Sequence, residues 1–122
     1  MIGHPVGHSL SPVMHNAAFR SLGLDWVYLA FDVAPGDAAA ALAGMRALGI
    51  EGLSVTIPHK EAMAQAVDVL SPLAETLGAV NTVIRDPAGR LRGENTDGAG
   101  FLRSLREDEG FDPGGRRCLV LG

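Results

Sequence analysis

The chain has 122 residues, 47% of them hydrophobic and 20% charged, and a formal net charge of -4. A chain of that size builds one compact core rather than two, and no run approaches the ~20 apolar residues needed to cross a bilayer. The acidic balance, with Arg116-Arg117 as the only adjacent basic pair, also excludes the electrostatic footprint of a nucleic-acid binder.

In chain order, Met1-Ile2-Gly3 reads as the end of a first strand. Pro12 to Leu22 reads as a helix, with Ser11 as its cap, Pro12 at the first helical position and Gly23 ending it. Trp26 to Phe31 is a short apolar run rich in aromatic residues and is expected to be a buried strand. Pro35-Gly36-Asp37 introduces an alanine-rich helix that stops near Gly49, with Leu42, Met45 and Leu48 as its inward stripe. Gly52 to Ile57 reads as a second strand broken by Pro58, and Lys60 to Leu70 returns to helical spacing. A short helix from Ser71-Pro72 to Leu77 follows, then a strand from Ala79 to Arg85. The turn Asp86-Pro87-Ala88-Gly89 leads into a hairpin partner from Arg90 to Glu94. Asn95-Thr96-Asp97 is expected to cap a helix reaching about Glu109, and Phe111 to Gly115 has the composition of a linker. Cys118, the only cysteine, lies in the apolar run Cys118-Leu119-Val120-Leu121, which excludes an internal disulfide and favours burial as a small hydrophobe. With no charged-then-apolar leader at the N-terminus, the expected location is the cytoplasm.

Alternating strands and helices imply a three-layer α/β fold: an open, twisted, mostly parallel sheet with a hairpin strand antiparallel and helices on both faces. In such sheets the ligand site lies at the carboxyl ends of the strands, where Ser9, Ser11, Thr56, Lys60, Asn81 and Asp97 all fall. Lys60 stands out chemically. It is the single lysine beside nine arginines, and an ammonium can exchange its proton where a guanidinium cannot. That points to general acid/base chemistry, against the plainer reading of a first-turn helix residue in an arginine-biased chain. His4 and His8 are four apart, but Pro5 and Gly7 between them make a helical metal-ligand face improbable, and no metal site is expected. His59 reads as a solvent-facing neighbour of Lys60.

Four ordered motifs, His8-Ser9-Leu10-Ser11-Pro12, Val55-Thr56-Ile57-Pro58-His59-Lys60, Gly78-Ala79-Val80-Asn81-Thr82 and Asn95-Thr96-Asp97-Gly98, closely resemble the substrate-binding domain of the shikimate dehydrogenase family. The resemblance implies NADPH-dependent, reversible reduction of 3-dehydroshikimate to shikimate, on the route to aromatic amino acids. It makes Lys60 and Asp97 the catalytic pair and part of the substrate site, with Lys60 as acid in reduction and base in oxidation and Asp97 holding the ammonium and a substrate hydroxyl in place. It assigns Ser9 and Ser11 to the substrate carboxylate, near a helix N-terminus, and Thr56 and Asn81 to the ring hydroxyls. Without the resemblance, Ser11 and Asp97 would both pass as ordinary helix caps. Ser54 departs from the asparagine that the family commonly carries there, which bears on substrate preference; a quinate- or aminoshikimate-active relative is one alternative, and a polyol-carboxylate binding module without chemistry and a folded fragment without ligand affinity are two others. The resemblance is compatible with a homodimer.

Residues 1-110 are expected to form the substrate domain. Residues 111-122 read as a linker and the first strand of an NADP-binding unit whose glycine-rich phosphate loop is missing, so the chain alone is expected not to transfer hydride.

Overall fold

A computed structural model describes residues 1-119 and 121. Six strands and five helices are present among them: β1 Ile2–Gly3, α1 Ser11–Ser21, β2 Phe31–Asp32, α2 Ala38–Ala47, β3 Gly52–Ser54, α3 Lys60–Ala66, β4 Val69–Leu70, α4 Pro72–Leu77, β5 Thr82–Arg85, β6 Leu91–Glu94 and α5 Asp97–Glu107. β1 pairs in parallel with β2, and a four-stranded sheet runs β3-β5-β6-β4. A parallel bridge between Ile2 and Val55 joins the two. Only β5 runs against its neighbours, antiparallel to β3 and to β6, while β4 and β6 are parallel. The expected mixed, mostly parallel sheet is therefore what forms, with the hairpin supplying its one reversed strand.

Register decides which face is buried. Leu53 lies opposite Val83, and Val83 opposite Gly93. This face meets Leu42 and Met45 of α2, Met63 of α3 and Ala74 of α4 in one core. The second face carries Ser54, Thr82 and Ile84, which together with His15, Phe19, Trp26 and Tyr28 border a recess of about 590 Å³. Helices thus flank the sheet on both sides.

Gly93 shows how tightly the first face is filled. A Cβ there would stand 2.6 Å from the Val80 Cγ2 and 3.0 Å from that of Val67. Val80 and Val83 are both fully buried, so the neighbours have little room to shift. Gly93→Ala is expected to destabilise the domain by about 1 to 3 kcal/mol through overpacking. A chemical-denaturation midpoint that did not fall would contradict that packing.

Six local expectations are corrected. Trp26 to Phe31 is not a buried strand: only Phe31 and Asp32 pair, and Trp26 and Val27 are 65% and 71% exposed. The Asn16 side chain takes the place of a ladder partner, accepting from the Tyr28 N–H and donating to the Tyr28 carbonyl, both at 2.8 Å. Tyr28 stacks on His15 with ring centroids 4.4 Å apart, so the segment is tied to α1 instead of a strand. Leu48 points outward, 74% exposed, because α2 ends at Ala47 and Leu48 is already its C-cap. The helix from Lys60 stops at Ala66, and Val69 and Leu70 pair with Arg92 and Gly93. Asp68 secures that break by accepting from the Leu91 amide at 2.7 Å and from Arg46 at 2.6 Å. A ladder to β6, favoured by the β-branched Val67 and Val69, outweighs helical periodicity here. Cys118 is exposed. Cys118, Leu119 and Leu121 are not in a strand, since a strand exists only where a ladder partner is present. Val120 and Gly122, which complete the expected strand, lie outside the described residues. The other two, Ser11 as a helix cap and His59 as a solvent-facing residue, belong to the site.

Candidate functional site

The motif-bearing residues reach one edge of the sheet because β5 is reversed. The carboxyl ends of β3 and β6 and the amino end of β5 coincide there, with Ser54 opposite Thr82 and Thr82 opposite Glu94. Backbone bonds then fasten the motifs to one another. The Val55 N–H donates to the Asn81 carbonyl at 2.7 Å, the Val80 N–H to the Lys60 carbonyl at 2.9 Å, and the Asn81 N–H to the Glu94 carbonyl at 3.0 Å.

Lys60 opens α3 directly after a turn closed by the His59 N–H on the Thr56 carbonyl at 3.0 Å. Its Nζ lies 2.5 Å from Asp97 Oδ2. The two side chains are 31% and 53% exposed, so the pair is open to a ligand. Three N–H donors belong to an ammonium, and one is spent on Asp97. Two remain for an incoming oxygen.

Asp97 is not a helix cap. Asn95 Oδ1 accepts from the amides of Asp97 and Gly98, at 3.0 and 3.5 Å, which leaves the Asp97 carboxylate to face Lys60 and Asn81. The hydrogen bond from Lys60 holds the Asp97 carboxyl below the ordinary carboxylate range; the Asn81 N–H and the Lys60 charge act the same way, against a partial loss of hydration that raises it. The carboxylate is therefore ionised at neutral pH. It accepts from Asn81 Nδ2 at 2.8 Å through its other oxygen, Oδ1.

Ser9 and Ser11 form a separate group. Ser9 Oγ, not Ser11, caps the start of α1: it accepts from the Ser11 N–H at 3.2 Å, and α1 already includes Ser11 as its first residue. Ser9 Oγ also donates to the Met1 sulfur at 3.2 Å, a weak acceptor that gives up the proton readily. The hydroxyls of Ser11 and Thr56 engage no protein group among the described residues. Thr56 is held by its backbone, its N–H donating to the Ile2 carbonyl at 3.0 Å. Its methyl leaves no room for a side chain at Gly3, where a Cβ would stand 2.4 Å from it. Ser54, the last residue of β3, borders the recess together with Thr82. No hydrogen bond joins the two serines to Lys60, Asp97 or Asn81 among the described residues.

Three residues support the site in ways that the sequence reading did not assign to them. Asn95 caps α5 and donates to the Ala79 carbonyl at 2.9 Å; the Asn two residues before Asp97 was its signal. Thr96 receives Asn81 Nδ2 on its hydroxyl at 2.8 Å, which no local pattern announces. His59 is buried, 1% exposed, rather than facing solvent. Its Nε2 lies 2.8 Å from the Val33 carbonyl, pinning the start of α3 to the segment after β2.

A sequence signature described as the shikimate dehydrogenase substrate binding domain matches residues 1-83. The shikimate dehydrogenase (NADP(+)) of Moorella thermoacetica is 59% identical over 122 residues, all of this chain and 41% of that protein. A shikimate 5-dehydrogenase from Listeria monocytogenes, solved with shikimate and NAD, superposes with a TM-score of 0.82 at 48% identity, over 91% of this chain and 38% of that one. A Thermus thermophilus shikimate 5-dehydrogenase, solved with NADP(H) and shikimate, gives a TM-score of 0.80 at 44% identity, over 88% and 41%. The chain therefore spans about two fifths of the length of the relatives it matches. The ordered motifs, the reversed β5 that gathers them and the matched signature all agree: the chain belongs to the shikimate dehydrogenase substrate-binding domain family.

Proposed function

We propose that this chain is the substrate-binding and proton-transferring half of an NADP-dependent shikimate dehydrogenase, acting on 3-dehydroshikimate and shikimate. The observation that carries this reading is the Lys60–Asp97 pair, 2.5 Å apart and partly open to solvent, on a sheet edge that also bears the unengaged Thr56 hydroxyl. As the ketone carbon is reduced, negative charge grows on its oxygen. The Lys60 ammonium stabilises that charge and donates its proton, while ionised Asp97 keeps the ammonium oriented. In the oxidative direction Lys60 receives the proton from the alcohol.

Ser9 and Ser11 take the substrate carboxylate in this proposal, beside the start of α1. Thr56 takes a ring hydroxyl, and Asn81 stands next to the reacting pair. The chain holds no glycine-rich phosphate loop of the G-x-G-x-x-G kind, so its residues alone do not fit NADP. We assign residues 1-110 to the substrate domain and 111-122 to the passage into a nucleotide-binding unit, in keeping with the greater length of the relatives. The setting proposed is the cytoplasm, and pairing of two copies rests on the resemblance alone.

Titrating shikimate into this chain while following amide chemical shifts tests the substrate half directly. Saturable shifts at Ser9, Ser11 and Thr56, weakened in Asp97→Ala, are expected. A well-dispersed spectrum that ignores shikimate would remove the assignment.

A further inference from the structure

Gly3 is a glycine for lack of room and not for its backbone conformation. Its φ is not in the left-handed region, unlike that of Gly23 or Gly78, so an alanine could follow the same path. What excludes a side chain is Thr56: a Cβ at Gly3 would overlap the Thr56 Cγ2 methyl and stand 3.3 Å from the Ile57 carbonyl oxygen. The two backbones are not free to draw apart. Bonds fasten them on either side of the contact, the Thr56 N–H to the Ile2 carbonyl and the His4 N–H to the Ile57 carbonyl, both at 3.0 Å. Gly3 is itself buried, and its carbonyl accepts from the Val33 N–H at 3.1 Å on the other side.

Chirality turns this contact into control of a hydroxyl. The methyl, hydroxyl and hydrogen on a threonine Cβ occupy three staggered wells in an order that chirality fixes. Once the methyl lies over Gly3, the place of the hydroxyl is settled. There it reaches solvent, since it has no protein partner and the one buried, unpartnered side-chain polar atom among the described residues is Arg85 Nε. Resting on the dehydrogenase reading above, we propose that Gly3 is a positioning residue for substrate recognition, which aims the Thr56 hydroxyl at a ring hydroxyl by giving the Thr56 methyl a slot to fill. With a Cβ at Gly3, only the Thr56 hydrogen fits over it. The well that puts hydrogen there puts the methyl where the hydroxyl had been, so the substrate would meet an apolar group in place of a polar one.

Removing one methyl should therefore undo the effect of adding another. In the complete two-domain enzyme, Gly3→Ala should raise KM for shikimate about tenfold or more, because a substrate hydroxyl loses its partner on desolvation. The kcat should change less than about threefold, since Lys60 and Asp97 are untouched. Combining Gly3→Ala with Thr56→Ser lets a hydrogen lie over the new methyl while the hydroxyl keeps its place. KM of that double variant should return to within about threefold of Thr56→Ser alone. A double variant no better than Gly3→Ala, or a Gly3→Ala enzyme with KM unmoved, would overturn the proposal, and so would a fall in kcat with KM unchanged.

A second measurement needs neither substrate nor cofactor. Three-bond couplings from the Thr56 methyl carbon to its backbone nitrogen and carbonyl carbon, taken on the 122-residue chain, should report one χ1 well, and a different well in Gly3→Ala. Averaging over several wells in the unsubstituted chain would overturn the proposal, even if Gly3→Ala loses shift dispersion. Failure of shikimate to bind the unsubstituted protein would sink the functional reading, and the couplings would still decide whether Gly3 sets the Thr56 hydroxyl.

Discussion

Lys60→Ala is expected to lower kcat of the complete enzyme by about 10²- to 10⁴-fold, the usual worth of a positioned general acid or base. Shikimate affinity should change far less, because Ser9, Ser11 and Thr56 are set by other elements and make no hydrogen bond to Lys60. Lys60→Arg should not rescue the rate. A guanidinium can pair with Asp97 but cannot give up a proton at working pH. The two variants together separate charge from proton transfer. Arginine restoring turnover would mean that the site needs only a cation. Turnover intact in Lys60→Ala would sink the mechanism altogether. Single-turnover reduction of 3-dehydroshikimate is the measurement, since it isolates the chemical step from product release.

Met63→Ala should damage the core more than Gly93→Ala, at about 2 to 5 kcal/mol. Met63 is fully buried and belongs to the hydrophobic core between the sheet, α2 and α4. It sits three residues after Lys60 on α3, where its N–H donates to the His59 carbonyl at 2.8 Å and its carbonyl accepts from Val67 at 3.1 Å. α3 has only seven residues, too short to persist in water unsupported. Its position therefore depends on what Met63 touches. Against a total stability of about 5 to 15 kcal/mol for a domain, that loss is large. Thermal unfolding followed by circular dichroism should show the midpoint falling by roughly 10 °C or more. Met63→Leu preserves volume and should cost less than about 1.5 kcal/mol. A midpoint unchanged in the alanine variant would mean that α3, and Lys60 with it, is held from elsewhere.

Much of the chemistry was readable along the chain. Lys60 was marked by being the sole lysine, at a junction where Pro58 must end a strand. The helix starts at Ser71-Pro72 and Asn95-Thr96-Asp97, and the turn at Asp86 to Gly89, were legible because each is decided by a side chain bonding to backbone two or three residues away. Ser71 Oγ accepts from the Ala74 amide and Asp86 Oδ1 from the Ala88 amide, interactions that any copy of those few residues would tend to form. Ser11 was misassigned within that same logic, since Ser9, two residues upstream, takes up the Ser11 amide and draws Ser11 itself into the helix.

What the sequence determined by itself was thus the set of reactive side chains, their order, and the local turns and caps that flank them. Only the tertiary structure decided which of them meet. Val69-Leu70 became a strand because β6 was there to pair with it, and Trp26 to Ala30 did not because Asn16 answered Tyr28 first. Asn81 and Asp97, sixteen residues apart, face each other because β5 runs backward against β6. The physical reason is one of range. Side-chain-to-backbone bonds over two to four residues are written into the local sequence, whereas ladder pairing and the contacts it brings depend on which distant partner wins.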